Sequence, residues 1–336
     1  MPPVTIYTKG WCPYCSAAKD LLAAKGVAFD EIEITGRDIE RSSPAEDFAM
    51  TDSFLAACVT MRSGRDPAAN RDAAARMIRE AAAAGAAFVQ TPEITNLADR
   101  NRPAMLEKTV TEERDQTLAA LREVARETGV TLHIGSLALK SGDGDRLANR
   151  GFLVSPDGDI LASYDKVRLF DVDLPNGESW RESNSYDGGA CAIVVETALA
   201  PIGLSICYDV RFAGLYRALA EAGADILTAP ACFTRQTGEA HWQVLQRARA
   251  IETGSFMISA AQGGRLEDGR ETYGHSIIVD PWGRVLAEGG DEPGLTMARI
   301  DLSLVADARG RIPTLKNGRP FRVERRAAQR PLAAAE

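Results

Sequence analysis

Three side chains with complementary chemistry each follow a predicted strand. Cys207 comes directly after one apolar run, Glu93 stands three residues after another, and Lys166 directly follows the predicted hairpin strand at 160–165. Because α/β proteins place reacting groups at the carboxyl ends of strands, we expect the three side chains to converge. A thiol, a carboxylate base and a fixed cation are the groups that acyl transfer through a thioester requires.

Each of these residues has a predicted role. A helix that begins just after Cys207 would favour its thiolate, and burial would raise the pKa of Glu93 until it serves as a base. Lys166 and the backbone N–H of Tyr208 would then stabilise the oxyanion. Taken singly, a cysteine at a strand end is more often a small buried residue, and a glutamate or lysine is more often a surface charge.

A cysteine hydrolase with a histidine base is an alternative scheme. The sequence contains three histidines, His133, His241 and His275. None has motif support as a base, since His133 falls within a predicted strand and the other two lie in segments interpreted as structural. The carboxylate scheme is therefore favoured.

A second candidate site lies near the amino terminus, where Cys12 and Cys15 form a C-x-x-C motif. The motif stands at a predicted strand-to-helix turn, where the helix dipole depresses a cysteine pKa. A zinc half-site is the alternative, but there is no second C-x-x-C or nearby histidine. The competing function is therefore thiol–disulfide exchange, with the rest of the chain as a scaffold.

The predicted elements that must position these residues alternate between strands and helices. Residues 4–34 predict one βαβ unit, and a charged stretch with little periodicity follows it. From residue 54 the alternation continues, with one long helix predicted over 103–129 and antiparallel hairpins around 143–145 and 156–159. Two similar halves indicate two mixed sheets packed face to face beneath outer helices.

Composition excludes several classes of protein. The chain has 336 residues and a net charge of -8, which provides no electrostatic footprint for nucleic acid. No apolar run approaches the roughly 20 residues that span a bilayer, and no secretory signal is recognisable, so we expect a cytoplasmic protein with no membrane partner. Six cysteines are too sparse for a disulfide framework. No metal or cofactor is predicted.

Four ordered motifs resemble the nitrilase, or carbon–nitrogen hydrolase, superfamily over about 50–321. They are Pro92-Glu93, Tyr164-Asp165-Lys166-Val167-Arg168-Leu169-Phe170-Asp171, Gly203-Leu204-Ser205-Ile206-Cys207-Tyr208-Asp209-Val210-Arg211-Phe212, and Gly274-His275-Ser276 with Asp280-Pro281-Trp282-Gly283. The resemblance implies a four-layer αββα sandwich that usually forms a homodimer through an outer layer. It implies a catalytic triad of Glu93, Lys166 and Cys207.

The resemblance also implies a second active-site glutamate, which positions the lysine or shares proton transfer. Glu182 is the best match, and Glu178 is the competing candidate. One departure from the family is Arg168, where relatives often carry histidine; it bears on substrate specificity and leaves the reaction unaffected.

Within the superfamily, the segments 238–242, 247–253 and 260–262 look most like the branch of ω-amidase and deaminated glutathione amidase, which hydrolyse amides of α-keto dicarboxylates. This implies an amidase for a small amide, without a cofactor. It also implies that Arg211 holds a substrate carboxylate while Phe233 and Thr237 line the pocket. Pairing of Arg211 with Asp209 or another acid is equally open.

Residues 4–34 resemble the start of a glutaredoxin, a thioredoxin-like fold. The resemblance implies that Cys12 is the nucleophilic thiol, that Cys15 is the resolving one and that glutathione is a possible ligand. The segment is about half of what a glutaredoxin needs, so we predict weak or absent thiol–disulfide activity. The predicted organisation is a partial glutaredoxin-like segment at 1–36, a linker at 37–50, a hydrolase domain at 51–321 and a tail at 322–336.

Overall fold

A computed structural model describes residues 4–8, 19, 23, 29–33, 53–142, 144–175 and 177–326. The chain divides into two compact units, Met1–Ala49 and Met50–Glu336. In the first unit, strand β1 (Val4–Thr8) pairs in parallel with strand β2 (Phe29–Glu33), which confirms the two strands predicted there. The predicted linker, together with Cys12 and Cys15, lies outside the described residues.

The second unit contains a seven-stranded mixed sheet. Its strands are β3 (Ser53–Thr60), β4 (Phe88–Gln90), β5 (Thr131–Lys140), β6 (Leu147–Val154), β7 (Ile160–Asp165), β10 (Tyr186–Asp187) and β19 (Gly294–Asp301). The order is β10-β6-β5-β4-β3-β19; β7 also pairs with β6, at residues 150–154, whereas β10 pairs with residues 147–148. Strands β3, β4 and β5 are parallel, whereas β6, β7 and β19 pair antiparallel.

A six-stranded sheet and two short hairpins complete the strands described in the second unit. The sheet has the order β11 (Ile193–Val195), β12 (Ile202–Leu204), β13 (Ile226–Thr228), β14 (Phe256–Ser259), β17 (Ile277–Val279) and β18 (Val285–Glu288). The hairpins are β8 (Asp171–Asp173) with β9 (Ser179–Arg181), and β15 (Gly263–Arg265) with β16 (Glu271–Tyr273). Strands β12, β13 and β14 are parallel, which brings their carboxyl ends to one edge.

Six α-helices lie in the described part of this unit. They are α1 (Pro67–Ala83), α2 (Arg102–Lys108), α3 (Gln116–Thr128), α4 (Ala213–Glu221), α5 (Arg235–Thr253) and α6 (Ser303–Arg311). None of these helices is both long and apolar enough to cross a membrane.

Strand β3 shows how the four layers arise. Phe54, Ala56 and Cys58 belong to the core shared with the second sheet, whereas Ala57 and Val59 pack in a separate core with α1 and α3. Successive side chains on a strand point to opposite faces, so one apolar strand serves both cores. Helices α4 and α5 cover the second sheet. The predicted αββα sandwich is confirmed.

The long helix predicted over 103–129 is wrong. The chain forms α2, a 3₁₀ turn at Glu112–Arg114 and then α3. The carbonyl of Val110 accepts a hydrogen bond from the N–H of Lys140 at 2.9 Å, so pairing with the end of β5 replaces helical bonding there. The Asp115 carboxylate then accepts from the N–H of Leu118 at 2.7 Å and caps a new helix.

Candidate active site

Glu93 stands on a loop that follows β4 and is fastened to the neighbouring β5. Ile94 donates its N–H to the Ser136 hydroxyl at 2.9 Å, and Thr95 donates its N–H to the Ser136 carbonyl at 2.8 Å. Gly135 lies against this loop, where a Cβ atom would be 2.1 Å from the carbonyl oxygen of Thr91. The neighbouring strand therefore fixes the position of Glu93.

Cys207 begins a 3₁₀ turn, Cys207–Arg211, just beyond β12. Its φ of 50° is in the left-handed region, and its N–H donates to the Pro230 carbonyl at 2.9 Å. Backbone conformations that non-glycine residues rarely adopt cluster at functional sites, where the surrounding structure holds them. The turn therefore presents the thiol in one enforced orientation.

The buried carboxylate of Asp209 ties the Cys207 turn to the loop that carries Lys166. It accepts hydrogen bonds from the Tyr164 hydroxyl at 2.8 Å, from the Ile206 N–H at 2.9 Å and from the Arg168 N–H at 3.0 Å. Asp209 is thus occupied by these groups, and the alternative pairing of Arg211 with Asp209 is not observed.

The predicted catalytic residues converge in a buried ion cluster. Nζ of Lys166, a residue only 2% exposed, lies 2.8 Å from Oε1 of Glu93 and 2.8 Å from Oε2 of Glu182. Cys207 lines the same cavity, close enough to Glu93 for each group to shift the pKa of the other. The single positive charge of Lys166 balances only one of the two carboxylates. A thiolate on Cys207 would add a further negative charge to the cluster, whereas an uncharged thiol does not.

Of the two candidates for the second glutamate, only Glu182 contacts Lys166. Its Oε2 also accepts the backbone N–H of Phe170 at 2.6 Å. Glu178 accepts from Nε1 of Trp180 at 3.2 Å and lines the same cavity farther along its wall.

Asn149 is part of the cluster, and the sequence interpretation missed it. Its Nδ2 donates to Oε1 of Glu93 at 2.9 Å and to Oε1 of Glu182 at 3.0 Å. Asn149 is a buried polar residue in β6, between Ala148 and Arg150, and a polar residue within a predicted strand was the one signal available.

Burial and the neighbouring charges set the protonation of this cluster. Burial raises the pKa of Cys207 well above its ordinary value, and the negative charge of Glu93 acts in the same direction. Burial also acts to raise the pKa of Glu93, but the charge of Lys166 and several hydrogen bonds lower it below its usual value. Burial acts to lower the pKa of Lys166, but the negative charges of Glu182 and Glu93 raise it well above its ordinary value.

Two expectations about protonation are therefore wrong. Cys207 rests as a thiol, because the desolvation of a thiolate beside a carboxylate outweighs any favourable dipole. Glu93 is a charged base with a lowered pKa, because its partner is a buried ammonium.

The three histidines lie elsewhere. His133 is buried in β5, where burial lowers its pKa to about 3, and it contacts Gln90 at 2.9 Å. His241 lies 3.2 Å from Arg211, and His275 lies 3.1 Å from Glu288. None of them lines the cavity that contains Cys207, which leaves Glu93 as the base beside the thiol.

Cys207 opens into a cavity of about 320 Å³, at the lower end of the range for small-molecule sites. Phe233 and Thr237 lie in its wall, as does Tyr208. Arg211 is not among the lining residues; its guanidinium lies 5.2 Å from the Phe233 ring and 5.8 Å from the Tyr208 ring. No group of three or more His, Cys, Asp or Glu side chains among the described residues is arranged to hold a metal ion.

The sequence profile of the carbon-nitrogen hydrolase family matches residues 55–310, most of the chain. The chain belongs to the carbon–nitrogen hydrolase family. Deaminated glutathione amidase of Mus musculus is 40% identical over 250 residues, which cover 73% of this hydrolase and 77% of the mouse protein. The enzyme of that name from Bos taurus is 36% identical over 304 residues, covering 89% and 92% of the two chains.

The fold comparison agrees with the sequence comparison. The crystal structure of the C. elegans NitFhit protein matches this hydrolase with a TM-score of 0.75 and 34% identity, covering 80% of this chain and 66% of that chain. The glutaredoxin family profile matches residues 4–45, which confirms the second resemblance. The protein is thus an amidase, a hydrolase of non-peptide carbon–nitrogen bonds in small molecules, with a glutaredoxin-like amino-terminal segment.

Proposed function

We propose that this amidase hydrolyses deaminated glutathione and related amides of α-keto dicarboxylates, with Cys207 as nucleophile, Glu93 as base and Lys166 as oxyanion stabiliser. The observation that carries the proposal is the buried ion pair of Glu93 with Lys166, 2.8 Å apart, in the wall of the cavity that also contains Cys207. The base and the cation are thereby set around a single nucleophile.

Acylation begins when Glu93 takes the thiol proton while Sγ of Cys207 attacks the amide carbon. The oxyanion that forms is stabilised by Lys166 and by the backbone N–H of Tyr208. Glu93 then gives its proton to the leaving nitrogen, the carbon–nitrogen bond breaks, and the amine departs from a thioester on Cys207.

Deacylation uses the same groups. Glu93 takes a proton from water, and the resulting hydroxide attacks the thioester carbon. The second oxyanion meets the same two donors, and its collapse breaks the carbon–sulfur bond. The carboxylic acid leaves, and the proton held by Glu93 returns to Cys207.

Because Glu182 and Asn149 contact the reacting groups without reaching the thiol, we assign them positioning roles. Glu182 holds Lys166 as its second ionic partner, and Asn149 joins the two carboxylates. A buried lysine with a single partner would be free to turn away from the developing oxyanion.

The substrate assignment is supported by two relatives named as deaminated glutathione amidases that each align over more than two thirds of both chains. The test is a hydrolysis screen of deaminated glutathione, α-ketoglutaramate, N-carbamoyl amino acids and simple nitriles, following released amine and acid separately. We expect the keto-acid amides to give the highest kcat/KM and the Cys207→Ala variant to be inactive on all of them. Activity of that variant at the wild-type rate would overturn the mechanism, and preference for nitriles would overturn the substrate.

The proposal includes a homodimer formed through the outer helical layer. Val244 and Ile251 on α5 are 67% and 51% exposed, and Trp282 in the adjacent turn is 49% exposed. Exposed apolar patches of this kind often mark protein interfaces. Light scattering should give twice the chain mass for the wild type and the monomer mass for Val244→Asp; a monomeric wild type would contradict the dimer.

A further inference from the structure

Two arginines flank one tryptophan in the cavity wall. The guanidinium carbon of Arg100 lies 4.2 Å from the centre of the Trp180 ring, and that of Arg270 lies 5.9 Å from it. All three residues line the cavity that contains Cys207. Stacking on an indole holds a guanidinium in place without consuming its N–H donors.

Arg270 is anchored but has unused donors. Its side chain is only 15% exposed, and its Nε donates at 2.6 Å to Asp268, whose side chain is fully buried. Neither Nη1 nor Nη2 makes a hydrogen bond among the described residues, and neither is sealed from solvent. A partly buried guanidinium with two free forked nitrogens matches the geometry of a carboxylate.

Arg100 adds charge that its surroundings do not neutralise. Within the described residues its guanidinium makes no hydrogen bond or ion pair, and it lies over the Trp180 ring. Arg181, in the same wall, differs because its Nη2 is bound to both Asp173 oxygens at 2.9 and 2.8 Å.

Outside the catalytic cluster, three acidic residues also line the cavity. Asp99 is paired with Arg65 at 3.4 Å, Glu178 accepts from Trp180, and Glu271 is exposed on β16. At the catalytic end, two carboxylates face one lysine. A substrate carboxylate is therefore repelled from the reacting groups, and the hydrogen-bond donors of Arg270 and Arg100 are the partners that the wall offers it.

We propose that Arg270 and Arg100, held by Trp180, bind a carboxylate of the substrate and thereby select anionic amides. This inference rests on the proposed function and deepens it, because it assigns recognition to residues outside the catalytic cluster. It also replaces Arg211, which does not line the cavity, as the carboxylate-binding residue.

The test uses the full chain with Cys207→Ala, which binds substrate without turnover. Isothermal titration would measure the Kd of deaminated glutathione and of its two derivatives in which one carboxylate or the other is converted to a carboxamide. Adding Arg270→Gln should weaken binding of the parent roughly 10- to 100-fold, the effect of losing hydrogen bonds to a charged group. Arg270→Gln should weaken binding of one carboxamide derivative far less, because that derivative already lacks the carboxylate that Arg270 binds.

Arg100→Gln should change the same ligand preference in the same direction. Arg270→Gln removes the ionic partner of the buried Asp268, and this loss could unfold the protein. Arg100 is exposed, so Arg100→Gln avoids that risk and tests the inference by itself. The matched control is Arg265→Gln, a change of equal charge on β15 that does not face the cavity; it should leave all three Kd values unchanged.

Three results would overturn the inference. They are equal weakening of all three ligands, no weakening of any, and a ligand-dependent loss in Arg211→Gln instead of the Arg270 and Arg100 variants. If the wild type hydrolyses deaminated glutathione but the arginine variants show no selectivity, only this inference fails. If there is neither hydrolysis by the wild type nor binding of any of the three, the proposed substrate fails as well.

Discussion

The side-chain amide of Asn149 lies 2.9 Å from Oε1 of Glu93, 56 residues away in the chain. The same nitrogen lies 3.0 Å from Oε1 of Glu182. Asn149 thus bridges the base and the residue that positions the lysine, and its hydrogen bond helps to lower the pKa of Glu93.

Asn149→Ala should raise the pKa of Glu93, because a hydrogen bond to the charged carboxylate is lost. Glu93 must be deprotonated to act, so the acid limb of the kcat/KM profile should move to higher pH by roughly one unit. A pH–rate profile of both proteins measures this shift. A lower rate with an unmoved acid limb would show that Asn149 does not act on the base.

Glu182→Gln should lower kcat by at least about tenfold, because Lys166 would lose one of its two ionic partners in a buried site. Glu178→Gln is the matched control, since Glu178 lines the same cavity without contacting Lys166 in the described structure. We expect its kcat to change by less than about threefold. Steady-state kinetics that rank the two variants in the opposite order would reverse this assignment.

Gly135→Ala should both destabilise the protein and reduce its activity. The new Cβ would lie 2.1 Å from the carbonyl oxygen of Thr91 and 2.6 Å from that of Pro92, so the Glu93 loop must move. We expect a loss of more than about 2 kcal/mol in the free energy of unfolding. Chemical denaturation would measure it.

Gly214→Ala is the control for that variant, because a Cβ on this residue of α4 meets nothing within 4 Å. Its free energy of unfolding should stay equal or rise by up to about 1 kcal/mol. Equal destabilisation by the two changes would refute the proposed crowding at Gly135.

Replacing Cys12 and Cys15 together with serine should leave amide hydrolysis at the wild-type rate, because the described part of Met50–Glu336 contains the whole catalytic cluster. Any glutathione-dependent disulfide reduction should disappear in this variant. Parallel assays of the two activities on the full chain separate the functions. Loss of amidase activity would instead indicate that the two segments are coupled.

Several features of this protein could be predicted from residue types and from the local hydrophobic pattern of the sequence. Cys207 and Glu93 each follow an apolar strand, and strands that alternate with helices bring their carboxyl ends to a common edge. Lys166 instead follows an antiparallel hairpin strand. The apolar run of β3 likewise predicts a strand with both faces buried, which is what the four layers require.

Other features depended on residues distant in the chain. The helix expected over 103–129 was interrupted because Val110 pairs with the end of β5. Asn149 and Arg270 carry no motif, since their importance comes from carboxylates and an indole that only folding brings near them. Their roles were therefore not predictable from their own segments.

The sequence by itself determined which residues can react and which strands carry them, because residue type and hydrophobic period are local properties. Only the tertiary structure decided that Cys207 rests as a thiol and that Glu93 stays charged. Those protonation states follow from the burial of the two side chains and from their distance to Lys166. Both are set only when the two sheets pack together.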